Sequence, residues 1–222
     1  MRSEKLPCIM PSPHPPLPRR IFLKLRRILR ELPRAEREFQ RVRGQISSVE
    51  GFLQPDEERW LFKGARSLPD SANLVEVGSY RGRSTCCLAF GCRGTQKRIY
   101  AVDTFDGKLW ESQYRTVFEE FKQNIDRCGL SSFVEPVKGL SSEVAKNWSK
   151  PIHFLFVDGS HVYDDVMADF TGFFPHVVSG GVVAFHDVHE TKPGVLRAWN
   201  ETFKHRLIET GHCESIAYGR KP

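Results

Sequence analysis

At 222 residues, 40% hydrophobic and 27% charged, the chain has the size and make-up of one soluble domain with an added segment. No apolar run approaches the ~18–20 residues of a transmembrane helix. The net charge of +6 is unevenly placed: residues 1–43 hold 12 Lys/Arg against 4 Asp/Glu and the rest nets −2, so no nucleic-acid partner is expected for the body.

Residues 1–18 contain six prolines and little to bury, and read as a disordered tail. Arg19-Arg20-Ile21-Phe22-Leu23-Lys24 looks like a twin-arginine export signal, but charged Leu25-Arg26-Arg27-Ile28-Leu29-Arg30 follows where an apolar core is required, and export is rejected. Residues 19–49 are expected instead to form a basic, amphipathic helical arm. Ile21, Leu25, Ile28, Leu29 and Leu32 recur at helical spacing among Lys24, Arg26, Arg27 and Arg30, and Pro33 ends or kinks that helix. Residues 19–32 can lie on an anionic membrane surface, or pack on the domain or on a second subunit of a homo-oligomer.

Residues 50–222 are expected to form the domain proper. Gln54-Pro55-Asp56-Glu57-Glu58 reads as a helix start, with proline in the first turn and acids at the positive end of the dipole; Leu68-Pro69-Asp70 stops that helix. Strands at 73–78, 98–103, 133–137, 152–158 and 181–186 then alternate with helices near 84–92, 113–128, 141–148, 163–174 and 194–206, and 214–218 offers a final strand. This alternation predicts an α/β fold: a Rossmann-like, doubly wound, mostly parallel sheet of six or seven strands with helices on both faces. The six cysteines (Cys8, Cys86, Cys87, Cys92, Cys128 and Cys213) form no C-x-x-C pair and read as reduced, mostly buried thiols of a cytoplasmic protein.

In such a sheet ligands bind beyond the carboxyl ends of the strands, and that is where the polar residues collect. Val75-Glu76-Val77-Gly78-Ser79-Tyr80-Arg81-Gly82-Arg83-Ser84 reads as strand, tight turn and helix start, which brings backbone N–H groups close to a ligand. Tyr80 stands where a dinucleotide turn needs its second glycine, so the turn suits a ligand without a diphosphate. Asp103, 25 residues after Gly78, is placed to accept two hydrogen bonds from a ribose diol. Ser141, in Gly139-Leu140-Ser141-Ser142, can meet an adenine or cap the following helix. Strand four ends Val157-Asp158-Gly159-Ser160-His161 and strand five ends Phe185-His186-Asp187. Carboxylates converging from two strands suit Mg²⁺, and an imidazole shifts preference toward Mn, Fe or Zn. On an extended strand His186 and Asp187 point to opposite faces unless the strand ends between them. His161, three residues after Asp158, could equally cap the helix near Tyr163.

The stretches VEVGSYRGRST, IYAVDTFDG, FLFVDGSHVYDD and GGVVAFHDV resemble the class I, metal-dependent small-molecule O-methyltransferases that use S-adenosylmethionine (SAM). Similarity is strongest to the branch with the macrolide-sugar and cephalosporin-biosynthesis enzymes, and more distant to catechol O-methyltransferase. The resemblance implies that Glu76, Gly78, Tyr80 and Ser84 line the SAM site, Glu76 facing the amino-acid end, with Asp103 on the ribose. Ser79, Gly82, Thr104, Ser141 and Asp158 complete the expected cofactor contacts. It further implies Asp158 and Asp187 as ligands of a divalent metal, Mg²⁺ being the ion those carboxylates suit, and His161 as the general base. Where the family usually carries an acid beside the second-strand ligand, this chain has His186, the candidate third ligand. The expected reaction is methyl transfer to a hydroxyl of a small molecule or sugar. The alternatives are an NAD-type oxidoreductase, opposed by the missing G-x-G-x-x-G, and a non-catalytic SAM-binding protein, which would bind SAM without transfer to any acceptor.

Overall fold

Side chains along each strand alternate between two apolar layers, and that alternation places the helices. The computed structural model describes residues 33–106 and 117–222. The proline-rich tail, the helix expected over 21–32, Cys8, Gly107 and residues 113–116 lie outside them. Five strands run parallel: β1 (Asn73–Val77), β2 (Arg98–Asp103), β3 (Val134–Lys138), β4 (Ile152–Val157) and β5 (Val177–Phe185). An antiparallel hairpin, β6 (Ile208–Cys213) and β7 (Ile216–Arg220), pairs through β7 with β5 and completes a seven-stranded sheet in the order β3-β2-β1-β4-β5-β7-β6. The order reverses between β1 and β4, the crevice where an open α/β sheet binds its ligand.

Leu74, Ile99, Ala101, Phe154, Phe156 and Ala184 belong to one core. It is covered by α1 (Arg34–Ser47), α2 (Pro55–Ser67), α3 (Arg83–Cys92) and α4 (Val117–Arg127). Their strand neighbours Val75, Tyr100, Val102, Leu155, Val183 and Phe185 belong to the other. That face carries α5 (Ser141–Lys146), α6 (Tyr163–Phe173) and α7 (Pro193–Ala198), which runs on through a π-helical turn at Trp199–Phe203. β5 starts four residues before the expected position because Gly180, at φ 75°, lets the chain bulge between the pairs Ile152–Val177 and Phe154–Val182.

The second half of the expected arm is a helix, and it belongs to the body. Phe39 and Ile46 of α1, with Val49, are buried in the first core, and Phe39 packs on Phe62 with ring centroids 5.6 Å apart. Cys86, Cys87, Cys92 and Cys128 are buried free thiols and Cys213 is a half-buried one. Among the described residues no helix is long and apolar enough to cross a membrane.

Candidate active site

A cleft of about 570 Å³ opens over the carboxyl ends of β1, β2 and β4, within the range of small-molecule sites. Its floor is the turn after β1. Gly78 has φ 85°, and a β-carbon there would collide with the Asp158 backbone, so only glycine lets β1 and β4 end this close together. Tyr80 also has a positive φ, 46°, and the turn is held by Asp103. The Asp103 Oδ2 accepts hydrogen bonds from Ser79 N (2.8 Å) and Tyr80 N (2.9 Å), and Oδ1 accepts from Phe105 N (2.7 Å). Asp103 therefore organises the turn as well as lining the cleft. Thr104 lines the wall beside it and donates to Asp106 Oδ1 at 3.0 Å.

Two expected cofactor contacts lie elsewhere. Glu76 is fully buried and outside the cleft wall, because its position in the strand alternation turns it toward α3. There it accepts hydrogen bonds from Ser79 Oγ (2.8 Å) and the Thr85 hydroxyl. Burial pushes its carboxyl up to about 7, against the opposing pull of the Ser84, Thr85 and Ser79 hydroxyls. Gly82, at φ 92°, starts α3 against Phe121 and does not reach the cleft. Gly78, Ser79, Tyr80 and Ser84 do.

Ser141 is the first residue of α5 rather than its cap, and its hydroxyl donates to the carboxylate of Asp169 on α6. Asp169 is 4% exposed, lines the cleft, and burial raises its carboxyl to about 6. Sequence reasoning missed it: an acid in mid-helix carries no local sign of facing a cavity.

In the same cleft Asp158, His161, His186 and Asp187 come together. Strand β5 stops at Phe185, and Asp187 takes φ 60°, so consecutive His186 and Asp187 turn to the same side. His186 is 6% exposed, with Nδ1 3.1 Å from Asp158 Oδ1 and 3.6 Å from Asp187 Oδ1. Its Nε2 lies 3.2 Å from Oε2 of Glu57, a buried residue of α2 that sequence reasoning treats only as an acid near a helix start. Burial opposes a charge on this imidazole, but Asp158, Asp187 and Glu57 outweigh it and raise its pKa to about 12. Asp187 is held well below the usual carboxylate range: burial works against ionisation, and His186, His189 and His161 overcome it.

An ionised carboxylate only accepts hydrogen bonds. The 2.9 Å contact of His161 Nε2 with Asp187 Oδ2 therefore fixes the proton on Nε2. The other nitrogen, Nδ1, faces Lys192 Nζ at 3.1 Å; an ammonium only donates, so Nδ1 presents its lone pair. A glycine makes this arrangement fit: a β-carbon on Gly194 would strike the backbone of His161 and Tyr163.

The donor set suits a divalent cation. Asp158, His186 and Asp187 each offer one ligand atom, all within 4.8 Å of one another, and a cation bound there would replace the proton on His186 Nδ1.

A family model described as a methyltransferase domain matches residues 75–188, which runs from β1 to the residue after Asp187. The "Uncharacterized protein y4gI" of Sinorhizobium fredii (strain NBRC 101917 / NGR234) is 30% identical over 153 residues, covering 64% of this chain and 16% of that relative's length. In fold the chain is similar to cofactor-bound Rv0187 from MTB, with a TM-score of 0.63 at 16% identity over 94% of this chain and 99% of the other. It is also similar to an O-methyltransferase from Bacillus cereus in complex with SAH, with a TM-score of 0.58 at 17% identity over 91% and 97% of the two chains.

Proposed function

The chain belongs to the methyltransferase-domain family, and we propose that it is a SAM-dependent methyltransferase that methylates a hydroxyl of a small molecule or sugar with the help of a divalent cation. That membership opposes the nicotinamide alternative, and transfer to an acceptor separates the proposal from the non-catalytic one. The observation that carries the proposal is the His161–Asp187 contact of 2.9 Å, which sets an oriented imidazole in the wall of the cleft.

SAM supplies an already activated methyl, so the chain's task is to align the acceptor oxygen and take its proton. The turn from Gly78 to Tyr80 and the Asp103 carboxylate would hold the amino-acid and ribose portions. Ser141 and Asp169 would receive the adenine, where a buried carboxyl can accept from the exocyclic amine. That leaves the acceptor at the His161 end. As the O–CH₃ bond forms and the S–CH₃ bond breaks, the hydroxyl proton passes to His161 Nδ1, which the acceptor reaches by displacing Lys192. Asp187 keeps the imidazole in the correct tautomer and stabilises the imidazolium that results. A cation held by Asp158, His186 and Asp187 would add Lewis acidity toward the acceptor oxygen.

The test is methyl-labelled SAM offered to a panel of hydroxylated sugars and phenols, with amines as controls. Label is expected in a hydroxyl acceptor. His161→Ala should lose about 10²–10⁴-fold in turnover at unchanged SAM affinity. Label appearing in amines alone, or a His161→Ala variant with normal turnover, would refute the reading.

A further inference from the structure

Glu57 never touches the cleft, yet its carboxylate is wholly buried. The Oε2 accepts from the Gln54 backbone N–H at 2.8 Å, the capping bond of α2, and the same oxygen lies 3.2 Å from His186 Nε2. The Oε1 accepts from Ser215 N at 2.9 Å and Ser215 Oγ at 2.6 Å, in the turn of the β6–β7 hairpin. A helix cap does not require burial; a solvent-exposed glutamate serves as well. Removing an ionised carboxylate from water is costly unless a partner compensates it. The partner that gives this burial a purpose is His186.

Both Glu57 oxygens already accept hydrogen bonds, Oε2 from Gln54 N and Oε1 from Ser215 N and Oγ, so Nε2 meets an acceptor and carries the hydrogen. The ring is thereby oriented with Nδ1 toward Asp158 Oδ1 and Asp187 Oδ1, the two carboxylates at the cleft. A metal-ligating histidine shows the same arrangement, an outer carboxylate fixing the tautomer and aim of the ring.

On the cation-assisted reading above, we propose that Glu57 is the positioning residue of an Asp158–His186–Asp187 site that takes a transition-metal ion of the Mn²⁺-to-Zn²⁺ series in preference to Mg²⁺. Magnesium is hard, favours oxygen and keeps its waters; one imidazole among the ligands shifts affinity toward the later ions. The site draws on three distant parts of the chain: α2 through Glu57, the β6–β7 turn through Ser215, and the ends of β4 and β5. Metal affinity should then respond to a residue that contacts neither cofactor nor acceptor.

The experiment uses full-length, metal-stripped protein with Co²⁺ as probe, read by its visible bands and by calorimetric competition with Mg²⁺. Wild type should bind Co²⁺ at least about 100-fold more tightly than Mg²⁺. Glu57→Gln should weaken Co²⁺ binding about 10–100-fold with SAM affinity and circular dichroism unchanged. His186→Asp should reverse the preference toward Mg²⁺. Equal affinity of wild type for the two ions overturns the selectivity. A Glu57→Gln variant with wild-type Co²⁺ affinity and spectrum overturns the role of Glu57. Failure of both wild type and His186→Asp to bind any divalent ion overturns the cation-assisted reading itself. Should Glu57→Gln not fold, ¹⁵N-histidine spectra of wild type titrated with Zn²⁺ decide: Nε2 must keep its proton while Nδ1 shifts, and metallation at Nε2 rejects the proposal.

Discussion

Glu76 gives a prediction whose size follows from its surroundings. Its carboxyl is fully buried and raised to about 7; burial contributes most, three hydroxyls oppose it, and the charge of Asp158 adds to the rise. In the unfolded chain the same group titrates near about 4.3. Between those values the folded protein keeps a proton that the unfolded one has released, so stability falls as pH rises through the window and levels off above it. At 1.36 kcal/mol per pKa unit, ionised Glu76 costs the SAM-free fold about 3–4 kcal/mol above pH 7. Glutamine at this position does not titrate and can still accept from Ser79 and Thr85. Urea unfolding of wild type and Glu76→Gln should therefore diverge by about 2–3 kcal/mol more at pH 8 than at pH 5, with equal m-values. Subtracting the two proteins cancels every group they share. A difference that stays constant with pH to within about 0.5 kcal/mol would show that Glu76 is ionised in the fold at no cost, and the argument from burial would fail.

Three further outcomes follow. Asp103→Asn should raise the SAM Kd about ten- to a hundred-fold and also lower the SAM-free melting temperature, since one amide oxygen cannot serve both Phe105 N and the Ser79–Tyr80 pair; unchanged melting would remove its turn-holding role. Gly194→Ala should cut turnover more than about tenfold at constant SAM affinity, by forcing the His161 turn out of place, and normal turnover would show that the turn can yield. Phe39→Ala should cost about 3–5 kcal/mol in chemical denaturation, whereas a detached arm would leave stability untouched.

Strands β1, β2, β4 and β5 are legible in the sequence because each carries a run of buried apolar residues. Strand β6 is not, for a physical reason: as an edge strand with Ile208, Glu209, Thr210 and His212 exposed, it has no buried face to leave a period-two signature. The charge of the arm leaves its packing open, while Phe39 and Ile46, seven residues apart, mark one face of a helix that packs inward.

At the site, Asp103, Asp158, His161 and Asp187 are legible because topology alone brings strand ends together. Glu57 lies 129 residues from His186 and arrives on a helix that precedes the sheet, so no local spacing announces it. The placement of Glu76 was within reach: it shares the parity of Leu74, whose face packs under α3, and a side chain of that parity points beneath the turn.

What sequence pattern could not supply is the backbone direction at the strand ends. Five described non-glycine residues have positive φ, and three of them, Tyr80 (46°), Phe105 (51°) and Asp187 (60°), sit where β1, β2 and β5 leave the sheet. Each such residue costs on the order of 1–3 kcal/mol and persists only where its surroundings fix it. Here the surroundings can be named. Tyr80 and Phe105 each direct a backbone N–H onto Asp103, and Asp187 is gripped by His161, His186 and His189. An extended exit from β5 would send His186 and Asp187 to opposite faces and leave Asp158 with one neighbour instead of two. The strain at these three exits is therefore what gathers a row of strand ends around a single cleft.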